Sequence, residues 1–492
     1  MTAVLSPSRP KLSWSDLNGA RVGVWGLGRE GLASIRKLAT MGLEPVLVDD
    51  RPSSVAIGGL PVLTTGYGGL AALEKCDVVV KSPGISRYRP EVAKLEERGV
   101  PVAGGLGLWL QETDPRRVLL ITGTKGKSTT ASIAGHLLGG LAGRTMIGGN
   151  IGLPPYDPEA VPADGQAPWE YWVIEVSSYQ ATDLCRSTPV VAVTSLHPDH
   201  LDWHGGVDQY YRDKLSICSL PGADLTVANG DSDLIRAREA LLGPRVEWVH
   251  EADDPDATWM APLGLIGGHS RRNALIARRA LQAMGIAGAA DDEALRAAAE
   301  GFVPLDHRLQ VTDVIDGVTF VDDSLSTNVL PTLAALDAFP GRRVALIVGG
   351  HDRGIDYAPL AVGLRQRSAP TLVLTLPDSG PRIHQEIEAA LAAAPAATPS
   401  AVTEATPAQA TPAQSTRAPA TPAPAASAAP PTVAGVHDCP DLDAAVTRAF
   451  DWARPDGVVL LSPAAPSFGH FRDYRDRADA FSRAVAHLTT AP

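Results

Sequence analysis

Cysteine is scarce in this chain: Cys76, Cys185, Cys218 and Cys439 are the four in 492 residues, far apart and with no C-x-x-C pair. That pattern favours reduced, packed thiols over a disulfide frame or a zinc ribbon. No apolar run approaches the roughly 18 residues a membrane span requires. Met1 to Trp14, with Pro7, Arg9, Pro10 and Lys11, lacks an apolar core of signal-peptide length, so a cytoplasmic protein is expected. Basic residues are also short, 43 Lys and Arg against 55 Asp and Glu, for a formal charge of -12. Nucleic-acid binders need a basic surface that displaces counterions, so no nucleic-acid partner is expected, and an anionic substrate must be met by local positive groups. What is present is ordinary for a soluble globular protein, 45% hydrophobic and 20% charged residues, which excludes disorder of the whole chain. At about 150 residues per domain the length suggests three domains.

Short apolar runs alternate with alanine-rich, helix-length segments: Arg21–Trp25, Pro45–Val48, Asp77–Val80, Val118–Ile121, Trp172–Val176, Val190–Thr194, Val344–Val348, Thr371–Leu374 and Val458–Leu461. Continuous apolar strands between helices predict buried parallel sheets, hence α/β layers. Breaks fall near Glu112-Thr113-Asp114-Pro115 and near Pro304 to Arg308. Residues 392–433 are almost entirely Ala, Pro, Thr and Ser and cannot offset ordering entropy by burial, which predicts a disordered insert inside the third domain.

The strand Leu119–Thr122 breaks into Gly123-Thr124-Lys125-Gly126-Lys127-Ser128-Thr129 and then runs into a helical pattern. Backbone N–H groups at such a helix start can cradle phosphates, Lys127 can reach the β/γ-phosphates and the Ser128 hydroxyl can ligate Mg²⁺. Ile121 stands where a standard P-loop has glycine, so this is a shortened variant. Earlier, Gly26-Leu27-Gly28-Arg29-Glu30-Gly31 follows the first strand, with Asp49-Asp50-Arg51 about 20 residues on, the layout of a dinucleotide fingerprint. The same layout can hold the diphosphate of a UDP-linked ligand, or simply make a tight strand–helix turn.

Glu175 ends a strand, where a carboxylate points into the ligand crevice of an α/β sheet and can hold Mg²⁺ opposite the phosphate loop. His197, His200 and His204 follow the next strand. They leave open a zinc site, a Mg²⁺ or phosphate role for His200, or a hydrogen-bonded loop. Lys214 lies in the helical pattern Gln209–Cys218, where a solvated lysine is the default and carbamylation the alternative. Freeing half of an ordinary lysine amine at pH 7 costs about 4.6 kcal/mol, so carbamylation needs a site that stabilises the product.

Taken in order, Gly123–Thr129, Gly149-Asn150-Ile151-Gly152, Glu175-Val176-Ser177-Ser178-Tyr179-Gln180, Asp199-His200-Leu201-Asp202 and Asp213-Lys214-Leu215 resemble the Mur ligase family, in its branch that joins glutamate to UDP-N-acetylmuramoyl-L-alanine. The resemblance spans the chain apart from the first dozen residues and the insert. It implies three α/β domains: a Rossmann-like UDP-substrate domain over residues 1–113, a central P-loop-type ATPase over 114–306 and a Rossmann-like glutamate-ligase domain over 307–492.

By motif position, Lys127, Ser128 and Thr129 serve the ATP phosphates and Mg²⁺, while Glu175 and His200 serve Mg²⁺ with Lys214 carbamylated. Asn273 meets adenine, and Arg308 and Asp323 hold nucleotide from the third domain. Asn150 touches the muramoyl substrate. Arg29, Glu30, Asp49, Asp50, Arg51, Ser82 and Gly84 border the UDP part, and Thr327, Arg353 and Ser467 face the amino acid. The implied reaction is peptidoglycan-precursor synthesis: the substrate carboxylate takes the γ-phosphoryl group of ATP, and the amine of glutamate displaces phosphate. A monomer is expected.

The third domain departs from the D-glutamate pattern Asn-Asp-Ser-Lys-Ala-Thr-Asn, reading Asp322-Asp323-Ser324-Leu325-Ser326-Thr327-Asn328. Arg353 replaces a loop lysine, and the surroundings of Ser467 differ. Losing an ammonium, or exchanging Lys for Arg, is not neutral where carboxylates are read. With Val80 to Ser86 and Leu201-Asp202-Trp203-His204-Gly205, these variants resemble the branch that adds L-glutamate, with D-glutamate addition as the alternative. A nicotinamide dehydrogenase rests on Gly26–Gly31 alone, and a nonenzymatic UDP-sugar sensor is the third reading.

Overall fold

The computed structural model describes residues 9–51, 56–163, 165–393 and 433–490. These form two compact units, one through Leu305 and one from Asp306. The expected disorder of the insert falls on residues outside those described. The insert's ends are corrected, since Ala392 closes a helix, Gly380–Ala392, and Val433 opens a strand.

The first sheet contains β1 (Val22–Trp25), β2 (Val46–Asp49), β3 (Val62–Thr64), β4 (Val78–Lys81) and β5 (Val102–Gly104), all parallel in the order β3-β2-β1-β4-β5. The order reverses between β1 and β4, and a doubly wound sheet opens a ligand crevice at that point, outside the carboxyl ends of the strands. The second sheet contains β6 (Val118–Thr122), β7 (Thr145–Gly149), β8 (Tyr171–Glu175), β9 (Val190–Val193), β10 (Leu225–Asn229) and β11 (Val246–Val249), again all parallel, in the order β11-β10-β9-β6-β8-β7. Here β6 is central, so the loop after it is flanked by those after β8 and β9.

The two sheets of this unit share one core. The apolar helix Gly105–Glu112 buries Leu106, Leu108, Trp109 and Leu110 in a cluster that runs from Val24 and Val80 to Leu120, Ile174 and Val193. A buried ion cluster lies beside it. Asp183 accepts hydrogen bonds from Lys81 at 2.7 Å and Arg87 at 2.9 Å, so the loop after β4 is tied to the chain after β8.

The second unit contains β12 (Gln310–Ile315), β13 (Val318–Asp322), β14 (Val344–Gly350), β15 (Thr371–Asp378), β16 (Val433–Asp438) and β17 (Val458–Leu461), in the order β12-β13-β17-β14-β15-β16. Only the β12–β13 pair is antiparallel. It adds an antiparallel edge strand to an otherwise parallel sheet. β12 is largely exposed and reads Gln-Val-Thr-Asp-Val-Ile, so it never presents the continuous apolar run that flags a buried strand. All four cysteines are buried and unpaired, as the composition predicts. Among the described residues no helix is long and apolar enough to cross a membrane.

Candidate active site

At the switch point of the first sheet, loops after β1, β2 and β4 enclose a cavity of about 340 Å³, and Arg29, Glu30, Asp49, Asp50, Arg51, Ser82 and Gly84 all border it. Gly26 (φ +87°) turns the chain from β1 into the helix Arg29–Thr40. A Cβ on Gly31 would lie 2.0 Å from the Gly26 carbonyl oxygen, so only glycine lets the helix start sit this close to the strand. Asp49 joins two loops by accepting from the backbone N–H of Leu27 at 2.8 Å and of Arg51 at 2.9 Å. Asp50 accepts from Arg89 at 2.5 Å and Thr65 at 2.8 Å. Glu30 differs from the rest, because its carboxyl turns inward and accepts from Gln180 at 2.7 Å and Tyr156 at 3.3 Å. Burial pushes its pKa up to about 7. Its role is therefore a brace under the cavity rather than a free acid facing ligand.

The phosphate loop leaves β6 at Thr122 and enters the helix Lys127–Leu141 through Gly126 at φ +85°. Neighbouring strand ends hold it: Thr124 N–H donates to the Ser195 carbonyl and Lys125 N–H to Ser195 Oγ, both at 2.8 Å. Asn273, from the helix Gly268–Ala283, is buried against Gly126, where an added Cβ would meet its Oδ1 at 2.9 Å. Ser128 Oγ donates to Glu175 Oε2 at 2.6 Å, and Asn150 Nδ2 donates to Glu175 Oε1 at 2.7 Å. Arg29 reaches from the first cavity to the Asn150 carbonyl at 2.6 Å. One carboxylate thus stands between the phosphate loop and the cavity side. Thr129 is half-buried on the first turn of the same helix.

Lys214 lies on the helix Val207–Leu215, wholly buried, with Nζ donating to the Gly123 carbonyl at 3.0 Å. Burial first, then the charge of Lys127, pulls its pKa well below the ordinary lysine value. The free-amine cost that makes carbamylation difficult in water is thereby reduced. His200 adopts φ +53°, a left-handed conformation uncommon for a residue other than glycine, and its imidazole is half-exposed beside the Tyr179 ring. Burial lowers its pKa, countered by Asp199 and reinforced by Lys214 and Lys125, which favours the neutral imidazole.

The three histidines do not converge. His204 faces inward between Asp213 and Ser178, at 2.6 and 2.9 Å, which disposes of the zinc alternative. Among the described residues no group of three His, Cys, Asp or Glu side chains is placed to hold a metal ion.

In the second unit, loops after β13, β14 and β17 carry the remaining candidates. Asp323 is buried, accepting from Ser326 at 2.5 Å, Ser462 at 2.7 Å and Leu309 N–H at 3.3 Å, and burial raises its pKa to about 6 despite the nearby Arg308 charge. Both its oxygens are occupied within the unit, so it shapes the loop that carries Thr327. Arg353 donates to the Thr327 carbonyl at 3.5 Å, and Ser467 is buried after β17.

Known protein families match the chain in three segments, two within the first unit and one within the second. Residues 20–104 match the MurD-like N-terminal domain of Mur ligases, 121–261 the Mur ligase middle domain and 307–465 the Mur ligase glutamate ligase domain. The chain belongs to the Mur ligase family. It is 39% identical to the UDP-N-acetylmuramoyl-L-alanine--L-glutamate ligase of a Micromonospora species, over 97% of this chain and 99% of that one. It is 36% identical to the protein of the same name from Xanthomonas oryzae pv. oryzae, over 95% and 96%. Among solved structures, MurF from Acinetobacter baumannii shares the fold with a TM-score of 0.52 at 14% identity, covering 96% of this chain and 93% of that one. MurC from Thermotoga maritima does so at 0.50 and 15%, covering 96% and 100%.

This Mur ligase is therefore an ATP-dependent, amide-forming enzyme built as three α/β domains. Within it, Arg477 escaped the sequence reading. It is fully buried and donates to the carbonyls of Ala465 at 3.1 Å and Ser324 at 2.8 Å, bracing two of the three loops around Thr327 and Ser467. In sequence it looks like one more solvated charge on a polar helix. The Asp183 cluster and the Asp213–His204 pair escaped for the same reason, since their partners lie 9 to 102 residues away.

Proposed function

We propose that this Mur ligase joins L-glutamate to the L-alanyl carboxylate of UDP-N-acetylmuramoyl-L-alanine, in peptidoglycan precursor synthesis. The observation that carries the reading is Glu175, whose two oxygens are shared by Ser128 of the phosphate loop and Asn150 beside the cavity. A γ-phosphate held at Gly123–Ser128 and a carboxylate reaching past Asn150 would meet at this point. The L-glutamate ligases among its relatives, alike over nearly the whole chain, support the amino acid, as do Leu325 and Arg353 at positions where the D-adding pattern has lysines.

The loop's backbone N–H groups and Lys127 neutralise the phosphates and hold the phosphoryl group in line, so positioning and electrostatics supply most of the rate enhancement. The donors Ser128 Oγ, Glu175 and the neutral imidazole of His200 suit a hard divalent cation, because two of them are oxygen ligands and the Ser128–Glu175 pair is already at 2.6 Å. Mg²⁺ held there would screen charge on the transferring phosphoryl group. Lys214 is the carbamylation site in this reading, its free amine adding CO₂ and releasing a proton to give a carbamate anion beside Lys127. Asn273 abuts the loop on the side assigned to adenine, and Arg353, Thr327 and Ser467 are assigned to glutamate.

The test incubates pure enzyme with ATP, Mg²⁺, UDP-N-acetylmuramoyl-L-alanine and each glutamate enantiomer separately, following ADP and the dipeptide product. Product from L-glutamate is expected. Product from D-glutamate alone would overturn the stereochemical assignment, and NAD reduction without ADP release would revive the dehydrogenase reading.

A further inference from the structure

Trp203 lies within the stretch Leu201-Asp202-Trp203-His204-Gly205, and the structure gives its side chain a specific place. The loop after β4 lines the nucleotide-sugar cavity through Ser82, Gly84 and Ile85. Its next residues leave the cavity and grip the second sheet's loops. Trp203 Nε1 donates to the Gly84 carbonyl at 3.1 Å, and Ser86 Oγ donates back to the Trp203 carbonyl at 3.3 Å. Tyr88 OH donates to Asp213 Oδ1 at 2.5 Å, and Asp213 through its other oxygen holds His204. The Trp203 ring packs at 4.5 Å from both Tyr179 and His204, and Tyr179 in turn lies 5.0 Å from the His200 ring.

His200 and Trp203 share one short turn, Leu201–His204 with His200 at its start, and Asp213 precedes Lys214 on its helix. The left-handed φ of His200 persists only if its surroundings over-determine it, and Trp203 is the side chain of that turn that fastens it to the cavity wall. Two fasteners, indole and phenol, therefore run from one wall of the nucleotide-sugar cavity to the two segments that carry His200 and Lys214.

We propose that Trp203 is a positioning residue, acting with Tyr88, which couples the filling of the nucleotide-sugar cavity to the grip on ATP at the phosphate loop. The coupling is reciprocal, as linkage between two ligands on one protein requires. It rests on the reading that the cavity takes the UDP-linked substrate and the loop takes ATP, but it does not depend on which glutamate enantiomer is used.

The experiment measures binding of a nonhydrolysable ATP mimic with Mg²⁺ to the full-length enzyme by calorimetry, with and without saturating UDP-N-acetylmuramoyl-L-alanine. In the native protein the nucleotide-sugar should tighten mimic binding about tenfold, within the range usual for coupled sites. Trp203→Phe keeps a ring in the stack but deletes the donor to Gly84, and Tyr88→Phe deletes the donor to Asp213. Each should cut the enhancement to about threefold, and Trp203→Leu to less than about twofold. In steady state, Trp203→Phe should raise KM for ATP and for the nucleotide-sugar while KM for glutamate stays within about twofold. Should Trp203→Leu fail to fold, the two Phe variants carry the test. Undiminished coupling in the folded variants, or no coupling in the native protein, overturns the proposal. If coupling is present but neither enantiomer yields product, the assigned acceptor fails and the proposal stands.

Discussion

Two glycine loops in this protein share a backbone plan and differ in the side chains set upon it. Gly26–Gly31 and Gly123–Ser128 each follow an interior parallel strand, turn through a left-handed glycine and open a helix at the switch region of a doubly wound sheet. Either could present backbone N–H groups to an anion. The first has no lysine or hydroxyl at the helix start, and an acid, Asp49, spans its mouth by binding two backbone N–H groups. The second has Lys127 and Ser128, faces Glu175 and has Lys214 buried beneath it. In the proposed function both backbones serve as anion cradles, and the side chains set whether a cradle holds a ligand or transfers part of one.

The sharpest way to break this contrast is Lys127→Ala. Turnover should fall by at least about 10²–10³-fold, as when a principal electrostatic donor is removed, while binding of UDP-N-acetylmuramoyl-L-alanine by calorimetry stays within about twofold. An unchanged rate would erase the distinction between the loops. Next, Lys214→Ala should lose about 10²-fold or more, with partial recovery of rate on adding short carboxylic acids that replace the carbamate. Absence of rescue would count against carbamylation and leave a plain buried ammonium beneath the loop.

The first loop should respond in stability and binding before chemistry. Gly31→Ala forces a methyl against the Gly26 carbonyl, so it should destabilise the protein by about 1–3 kcal/mol in denaturant titration. It should also raise KM for the nucleotide-sugar with kcat little changed. A variant equal to the native protein in both would mean the helix start has room to shift.

The smallest effect concerns Glu30. Burial raises its pKa from the ordinary 4.5 to about 7, so the folded state holds the proton more tightly than the unfolded one. Its contribution is fully present below about pH 4.5 and is lost as pH rises through about 7. Glu30→Gln should flatten that decline, leaving Tm a few degrees less dependent on pH between about 5 and 8. Parallel Tm–pH curves for the two proteins would show that Glu30 is ionised in the fold.

Much of this was legible in the linear chain because the relevant signals are local. The strand–glycine–helix order predicted both loops, nine apolar runs predicted nine of the strands, and all seven residues chosen for the nucleotide-sugar part border one cavity. The eight other strands are not among those runs. β3 and β5 are three residues long, and β12 is exposed and polar, so neither length nor periodicity marks them. Glu30 and Asp323 lie beside the loops their motifs mark, but their carboxyls point into protein, and orientation is set by partners such as Gln180 and Ser462 that no spacing rule connects to them.

The chain alone determined the α/β architecture, the two glycine loops and the types of side chain at their mouths, because period, turn chemistry and motif spacing act over a few residues. Tertiary structure alone decided that Glu175 is shared by Ser128 and Asn150, that Lys214 loses its hydration under Gly123, and that Trp203 reaches Gly84. Those outcomes depend on distances between segments up to 119 residues apart. Only the packing of whole sheets and helices sets such distances.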